Sequence, residues 1–295
     1  MLSQHAFEIS VRQTRRRFLA AGATAPLWLS GLPDLFAEER IAMESPDQAN
    51  LERIVTKIVY DNHPSGPGLI SEWGFGCVIQ GTEKTILFDT GGAGWALLSN
   101  MHQLKLDPKK IDAVVLSHIH WDHTGGLPSF IHERGRVPVY IPAGFPKAFK
   151  EHAKSLGGEL IECDESVTVG QDVRTTGTLG KGAIEEHALC VKTDKGWVVI
   201  TGCAHPGVDN MAAQAKEVVS GPIHMVMGGF HMMRQSNEEV DTVIDRLEGL
   251  GVQRSAPCHC SGDTTRTRFK ERLEGRCSLV GVGDEFRFRR PGATA

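Results

Sequence analysis

From residue 51 onward, short apolar runs and segments of helical spacing follow one another without a linker. Runs rich in β-branched and aliphatic residues at 53–61, 75–81 and 84–92 predict strands, with a hairpin among the first of them. Apolar residues recur at helical spacing in 94–104 and 237–250, which predicts amphipathic helices. A second hairpin is predicted at 188–202. Two β-rich halves that each carry helices predict an α/β fold, in which two sheets pack face to face with helices outside.

The first forty residues have the layout of an export signal. Three arginines at 15–17 precede Phe18 and Leu19, a weakly apolar run rich in Ala and Gly follows, and Ala37 offers a small residue to a peptidase. We therefore predict a twin-arginine (Tat) signal peptide at 1–37 and a domain at 38–295 that the Tat export machinery delivers to a bacterial periplasm. The apolar run is too short and too interrupted to span a bilayer stably. The alternative is a basic amphipathic helix that stays on the protein.

Charge and cysteine content narrow the classes of partner. The formal net charge of -4 gives no basic face of the kind that nucleic-acid binding requires, so we expect a small-molecule substrate and no nucleic acid. The seven cysteines are odd in number and follow no framework spacing, which predicts few or no disulfides. Because a Tat substrate crosses the membrane already folded, its thiols and any metal can be assembled in the reducing cytoplasm.

The stretch "VVLSHIHWDHTGGL" places four metal-binding side chains directly after an apolar run that predicts a strand. His118 and His120, one residue apart, can meet a single divalent ion, while Asp122 and His123 can turn toward a second. Imidazole nitrogen mixed with carboxylate oxygen suits zinc, and also iron or manganese. Four unrelated polar residues in a solvated loop are the alternative. The density of the cluster beside a strand favours a metal site.

Several motifs of this chain are similar to those of one known family. The hexad "HIHWDH" fits the H-x-H-x-D-H signature of the metallo-β-lactamase fold superfamily, and "ILFDTGG" fits its strand with an aspartate that supports the metal loop. The segments "YDNHPSG", "ITGCAHPGVDN", "MGGFHM" and "APCHCSGD" resemble the branch named after the dihydropterin-ribofuranosyl-aminobenzene phosphate synthases, over about Arg53 to Arg289. The resemblance implies an αββα sandwich of two mixed β-sheets flanked by helices, with metal at the edge between the sheets.

The resemblance also implies which residues bind the metal. The first ion takes two histidines of the hexad and the second takes its aspartate and last histidine, which leaves one distant histidine for each ion. His205 is the candidate for the first ion, with His231 competing for that role, and His259 completes the second site. The expected ligands are His118, His120, Asp122, His123, His205 and His259.

Two positions bear on how many ions bind. Well-known hydrolases of the superfamily place a bridging aspartate where this chain has Cys203, so one ion or two are both expected outcomes. Cys203 is either a thiolate ligand or a neutral buried thiol. Asp89 in "LFDTGG" is interpreted as a carboxylate that orients a ligand histidine, with a polar strand cap as the alternative.

These residues lead to three hypotheses about function. The first is a metal-dependent hydrolase, with zinc expected, in which metal-activated water attacks a small ester, lactone, amide or phosphoester. Asp122, orienting that water, and His120 are its expected catalytic residues. The second is a transferase of the synthase type that names the branch, against which export argues because such precursors are made in the cytoplasm. The third is a non-catalytic metal-binding or ligand-binding module.

Overall fold

The computed structural model describes residues 53–182 and 184–292. The predicted signal peptide at 1–37 and the predicted domain start at 38 lie outside the described residues. Within these ranges, no helix combines the length and the apolar character that crossing a bilayer demands.

A seven-stranded sheet contains the first predicted hairpin at its antiparallel end. Its order is β13-β1-β2-β3-β4-β5-β6, with antiparallel pairing as far as β3 and parallel pairing from β3 to β6. The sheet is therefore mixed. The strands are β1 (Arg53–Asp61), β2 (Phe75–Gln80), β3 (Ile86–Phe88), β4 (Ala113–Val115), β5 (Val137–Ile141), β6 (Gly158–Glu162) and β13 (Glu285–Arg289).

A second, six-stranded sheet contains the second predicted hairpin and is also mixed. Its order is β12-β11-β10-β9-β8-β7, in which β10, β11 and β12 run parallel and the others pair antiparallel. Parallel neighbours end at the same edge, so residues that follow β10, β11 and β12 lie together. The strands are β7 (Thr168–Gly170), β8 (Val173–Thr175), β9 (Leu189–Thr193), β10 (Gly196–Thr201), β11 (Ile223–Gly229) and β12 (Arg254–Cys258).

Helices cover the outer face of each sheet. The longer of them agree with the predicted segments: the helix predicted at 94–104 is found at Gly94–Gln103, and the one predicted at 237–250 at Asn237–Gly249. A Ser236 capping box fixes the start of the latter, because Ser236 and Glu239 each satisfy a free backbone N–H of the other. The α-helices are α1 (Gly94–Gln103), α2 (Trp121–Thr124), α3 (Leu127–Arg134), α4 (Lys147–Leu156), α5 (Val208–Val218), α6 (Asn237–Gly249) and α7 (Asp263–Leu273).

Three apolar clusters hold these layers together. The central one lies between the sheets and combines residues such as Val115 of the first with Ile200 of the second. A second cluster joins the outer face of the six-stranded sheet to α5, α6 and α7, and a third joins the outer face of the seven-stranded sheet to α1, α3 and α4. The layers are helix, sheet, sheet, helix, which confirms the predicted αββα sandwich of two mixed sheets.

The glycines after the hexad have a different use from the one that the sequence suggests. A tight bend is the obvious prediction for Gly125 and Gly126, yet both have ordinary right-handed helical backbone angles. A Cβ on Gly125 would come within 2.3 Å of the Gly92 carbonyl oxygen, and one on Gly126 within 2.1 Å of the Thr90 carbonyl oxygen. They are glycines because the hexad packs directly against the backbone of residues 90–92.

Candidate metal centre

The hexad follows β4 and is held by backbone hydrogen bonds from both sheets. The Leu116 N–H donates to the carbonyl of Tyr140, in β5 of the first sheet. The Ser117 carbonyl accepts from the N–H of His187, which lies just before β9 of the second sheet. The one-turn helix α2 then turns Asp122 and His123 inward, and both are buried. Strand ends of both sheets thus fix the loop, and its side chains face the edge between the sheets.

A first group of imidazoles forms around His118. The ring centroids of His118, His120 and His205 lie 4.6 to 4.8 Å from one another, although His205 is 82 residues or more along the chain from the hexad histidines. The Cys203 sulfur, one His118 nitrogen and one His205 nitrogen lie within 4.8 Å of one another. This spacing is small enough for one ion to reach all of them.

A second group contains the carboxylate of the hexad. Donor atoms of Asp122, His123, Cys203 and His259 all lie within 4.8 Å of one another, and all four residues are buried. His123 Nε2 is 3.2 Å from His259 Nε2 and 3.2 Å from the Cys203 sulfur, and His259 Nε2 is 3.3 Å from Asp122 Oδ2. Cys203 belongs to both groups, so it occupies the boundary between them.

Four of the expected ligand histidines have an oxygen partner at Nδ1. His118 Nδ1 lies 2.9 Å from Ser117 Oγ, His123 Nδ1 2.7 Å from Asp89 Oδ2, and His205 Nδ1 2.9 Å from Glu186 Oε2. His259 Nδ1 lies 2.9 Å from the Asn62 side-chain oxygen. Ring N–H donation through Nδ1 leaves Nε2 with its lone pair, which is the arrangement that orients histidines toward a metal.

The Nε2 atoms show that these residues fit a metal ion. His118 Nε2 is buried and has no hydrogen-bond partner among the residues that the structure describes. His123 Nε2 and His259 Nε2 face each other at 3.2 Å while their Nδ1 atoms donate to Asp89 and Asn62, so two lone pairs would oppose each other. A metal ion bound by both nitrogens relieves this repulsion, as does a proton on one of the two rings, whereas His118 Nε2 is left as a buried unpaired nitrogen, which is costly. We therefore consider the donor set suited to a transition-metal ion.

Two buried carboxylates support the groups from either side. Asp89 accepts from the Ser117 N–H at 2.6 Å and the Ser117 hydroxyl at 2.7 Å, in addition to its contact with His123. Glu186 accepts from the backbone N–H groups of Cys203, Ala204 and His205 at 2.7 to 2.9 Å, in addition to the His205 ring. Asp89 thus orients the hexad, and Glu186 orients the loop after β10.

Burial favours the neutral, metal-binding form of two histidines in this cluster, His118 and His123. Burial, together with the charge of His259, lowers the pKa of His123 to about 3. Burial also lowers the pKa of His118 well below its ordinary value. Burial alone would raise the pKa of Asp122, but hydrogen bonding with His259 and the nearby imidazoles hold it below the usual range. Neutral imidazoles beside an ionised carboxylate are the forms that bind divalent ions.

Strained backbone is concentrated here. Asp89, Ala204, His231 and His259 all have positive φ angles, between 47° and 58°, although none is glycine. Such conformations cost about 1–3 kcal/mol each and persist at sites whose surroundings fix them. These residues follow β3, β10, β11 and β12, and strained backbone at four neighbouring strand ends indicates a functional site rather than simple turns.

The other predicted candidates lie at the margin. His231 is exposed, and its ring centroid lies 4.3 Å from that of His205. Among the described residues, the His231 ring makes no close ring contact with the histidines of the hexad. Its position therefore favours His205 for the first group. Trp121 and Trp73 are 65% and 39% exposed, and the Trp73 ring lies 4.9 Å from the His259 ring, so tryptophan surfaces border the centre.

Sequence reasoning missed the residues that orient the ligands. Glu186 stands beside Glu185, and the pattern gave no reason to distinguish a fully buried carboxylate from its neighbour. Asn62 follows a predicted strand without any motif that marks it as a ligand or support, yet its side chain contacts both the ring and the carbonyl of His259. The signal that finds Asn62 is its place directly after β1, with Asp61 accepting from the His259 N–H at 3.1 Å.

Known proteins place this architecture in a family. Residues 74–240 match the family described as the metallo-beta-lactamase superfamily, a match that spans more than half of the chain. The chain belongs to the metallo-beta-lactamase superfamily. Most of the predicted site lies within the matched residues, and His259 follows them.

Individual relatives in the superfamily carry different names. The chain is 29% identical over 253 residues to 7,8-dihydropterin-6-methyl-4-(beta-D-ribofuranosyl)-aminobenzene-5'-phosphate synthase of Methanocaldococcus jannaschii, covering 71% of this chain and 86% of the relative. It resembles the crystal structure of Tm1679, a metal-dependent hydrolase of the beta-lactamase superfamily, at 26% identity and a TM-score of 0.67, covering 79% and 98% of the two chains. YhfI from Bacillus subtilis shares the fold alone, at 17% identity and a TM-score of 0.58, covering 80% and 100%.

Proposed function

We propose that the protein is a metal-dependent hydrolase with zinc at one or two positions, acting on a small ester, lactone, amide or phosphoester. The opposed Nε2 atoms of His123 and His259, at 3.2 Å, are the observation that carries the proposal. Two imidazoles, a carboxylate and a thiol around such a point are donors of the type that zinc prefers, while iron or manganese would also accept them. The similarity to a metal-dependent hydrolase at 26% identity supports the same activity.

Each residue has a stated part in that reaction. His118, His120 and His205 would hold one ion, and Asp122, His123 and His259 a second, with Cys203 between the two groups. An ion bound there supplies Lewis acidity, which polarises a substrate oxygen and lowers the pKa of water. Asp122 Oδ2 faces the centre, 3.3 Å from His259 Nε2, so it is placed to orient the attacking water and receive its proton.

The surroundings of the centre fit a small substrate. A cavity of about 210 Å³ adjoins the first group and is lined by His205, His231, Gln235 and Glu239 among others. Its size is below the usual range for drug-sized ligands, about 300–1,000 Å³. The side chain of Trp121, within the hexad, is exposed and offers an apolar surface.

The test combines metal analysis with a substrate panel. Wild-type protein and His120→Ala are compared on generic carboxylic esters, lactones, phosphodiesters and β-lactams. His120 is half-exposed, so its removal leaves the core intact. We expect turnover of at least one class in the wild type, and a loss of at least about 100-fold in His120→Ala. A wild-type protein that binds metal and turns over nothing would leave the non-catalytic module as the better hypothesis.

A synthase activity is the second candidate, and a specific observation favours it. The M. jannaschii synthase is 29% identical over most of both chains, which is a longer match than chance resemblance of a motif would give. The two are distinguished by incubation with a ribofuranosyl-aminobenzene phosphate acceptor and a dihydropterin that carries a leaving group, such as diphosphate, on its 6-methyl carbon. Condensation product with release of the diphosphate supports the synthase, and hydrolysis of the panel with no condensation supports the hydrolase.

Export to the periplasm remains a proposal that depends on sequence alone. The arginine triplet at 15–17 and the apolar run that follows support it. Replacing Arg15 and Arg16 with Lys should retain the protein in the cytoplasm of a bacterial host with a Tat system. Fractionation of cells that carry the two versions measures this, and periplasmic recovery of both versions would contradict it.

A further inference from the structure

A third group of donor atoms lies beside the two described above. The sulfur atoms of Cys203 and Cys260 and one His231 nitrogen lie within 4.8 Å of one another. Cys260 and His231 belong to neither of the other groups, so this group shares only Cys203 with them. Both cysteines are buried and reduced, while His231 is exposed.

The topology of the second sheet brings these three residues together. Cys203 follows β10, His231 follows β11 and Cys260 follows β12, and these strands are parallel neighbours. Hydrogen bonds join the loops that carry them: Gly229 N–H donates to the Gly202 carbonyl at 3.1 Å, and Phe230 N–H donates to the Ser261 hydroxyl at 3.1 Å. The positions are therefore fixed by the sheet rather than by chance proximity.

Gly229, at the end of β11, leaves room for the cysteine sulfur at this edge of the second sheet. A Cβ on Gly229 would come within 2.3 Å of the Gly202 carbonyl oxygen, 2.7 Å of the Cys260 sulfur and 3.2 Å of the Cys203 Cα, so the glycine lets the two loops and the thiol lie close together. The Cys260 thiol contacts the Cys203 carbonyl at 3.7 Å, a long and weak hydrogen bond. Packing alone would explain two buried thiols, but it does not explain an imidazole in a strained backbone conformation beside them.

The donor types and spacing match a thiophilic metal. Zinc bonds to sulfur at about 2.3 Å and to imidazole nitrogen at about 2.0–2.1 Å, so tetrahedral ligands lie about 3.3–3.8 Å apart. Donor atoms held within 4.8 Å need only small side-chain adjustments to reach that geometry. Two thiolates and one imidazole, with an open side, are the ligand set of a known class of zinc site.

We propose that Cys203, His231 and Cys260 form a thiolate-imidazole site for a thiophilic ion of the zinc class, joined through the Cys203 sulfur to the histidine centre. The inference goes beyond the proposed hydrolase, because it concerns metal binding and does not require turnover. Because His231 is exposed, an ion can reach the site from solvent and retain a free coordination position. The chain would then bind more metal than the expected histidine and aspartate ligands alone account for.

Co²⁺ is the probe that tests this site, since thiolate bound to Co²⁺ gives a sulfur-to-cobalt charge-transfer band in the near ultraviolet. Metal-free, reduced full-length protein is titrated with Co²⁺ without oxygen, and the band and the bound ions per chain are measured. We expect Cys260→Ser to lower the band by about half, because one of two thiolates is lost, and to lower the ion count by about one per chain. His231→Cys adds a thiolate and should increase the band by about half.

The controls keep the inference falsifiable. Cys277→Ser changes a cysteine that is absent from all three groups and should leave both readings at the wild-type level. His231 is exposed, so His231→Ala and His231→Cys test the site even where Cys260→Ser fails to fold. The inference is overturned where Cys260→Ser, His231→Ala and wild type share one band intensity and one ion count. Substrate turnover does not enter these readings, so failure here is distinct from failure of the proposed hydrolase.

Discussion

The two sides of the metal centre are built in different ways. The hexad side offers four of its ligands within six consecutive positions, His118 to His123, after one strand of the first sheet. The other side gathers Cys203, His205 and His259 from loops of the second sheet that are up to 56 residues apart. One side is fixed by local chain geometry, and the other only by tertiary topology. The ligands of the second side therefore need more hydrogen bonds from neighbouring residues to hold them in position.

The supporting carboxylates differ accordingly. Asp89, behind the hexad, accepts one backbone N–H, one hydroxyl and one ring N–H. Glu186, behind the second side, accepts three successive backbone N–H groups and one ring N–H. Those three N–H groups belong to a loop with no ladder partner for them, so Glu186 substitutes for secondary structure. Replacing each carboxylate measures how much each side depends on its support.

Glu186→Ala should have the largest effect on stability. It leaves three buried N–H groups and the His205 ring without an acceptor, which we expect to lower the free energy of unfolding by about 3–5 kcal/mol. Urea unfolding with a chelator present excludes the contribution of bound metal. Glu186→Gln keeps one acceptor oxygen and should lose less. A Glu186→Ala variant as stable as wild type would contradict the supporting role.

Asp89→Ala should have a smaller but clear effect. It leaves one backbone N–H, one hydroxyl and the His123 ring unpaired, and we expect a loss of about 2–3 kcal/mol in the same unfolding experiment. Asp89→Asn retains an acceptor for the Ser117 N–H and serves as the control. If Asp89→Ala costs more than Glu186→Ala, the second side of the centre does not need the greater support.

Asn62→Ala should separate metal binding from folding. Asn62 is half-buried and orients His259 through Nδ1 at 2.9 Å, so its loss should weaken metal binding at the second group by about 10–100-fold. The free energy of unfolding without metal should change by only about 1 kcal/mol. Competition with a metallochromic chelator measures the affinity. Unchanged affinity would show that the His259 ring is positioned without Asn62.

Asp241 provides a reference carboxylate on the exterior, away from both sides of the centre. Hydrogen bonds from Arg268 at 2.7 and 2.6 Å, with Arg272 at 2.9 Å, hold the pKa of Asp241 below its usual value. A lowered folded-state pKa stabilises the protein above the unfolded value of about 3.9, and that contribution disappears as the pH falls through the folded-state pKa. Asp241→Asn should therefore lower the melting temperature by about 1–2 °C at pH 7.

The pH series checks the sign of that effect. The melting temperatures of Asp241→Asn and wild type should begin to converge as the pH falls below about 4, where the unfolded carboxyl is protonated, and should meet once the pH is below the lowered folded-state pKa. Glu217→Gln, on an exposed side chain for which the described residues show no ion pair, is the control and should match wild type at each pH. A difference that grows toward low pH would contradict the assignment.

Comparison of the two sides also explains how much the sequence could predict. The fold followed from periodicity and from the hexad, and both β2 and α6 fall close to their predicted ranges, because strands and amphipathic helices have local signatures. His205 and His259 were expected from motifs that follow predicted strands, and the structure brings them to the hexad.

The remaining residues had no local signature. Glu186 lies just before β9 and reaches the loop after β10 because β9 and β10 pair antiparallel. Cys260 enters the site because β10, β11 and β12 are adjacent and parallel, and strand order is a tertiary property. The two interpretations of Cys203, a thiolate ligand and a neutral buried thiol, both stay predictions, and its sulfur lies 3.2 Å from His123 Nε2. The sequence identifies metal ligands where they are close together along the chain. The residues that orient those ligands, and the cysteine that belongs to more than one group, can be identified only once the arrangement of the strands is known.

The metal content of the purified protein tests the central claim most directly. Inductively coupled plasma mass spectrometry of wild type, compared with His118→Ala and with His123→Ala, counts the ions and identifies them. The account predicts at least one transition-metal ion per chain in the wild type, with a loss in each variant, because His118 Nε2 and His123 Nε2 both need a cation partner. A wild-type chain that carries no transition metal, and takes up none when Zn²⁺ is supplied, would contradict it.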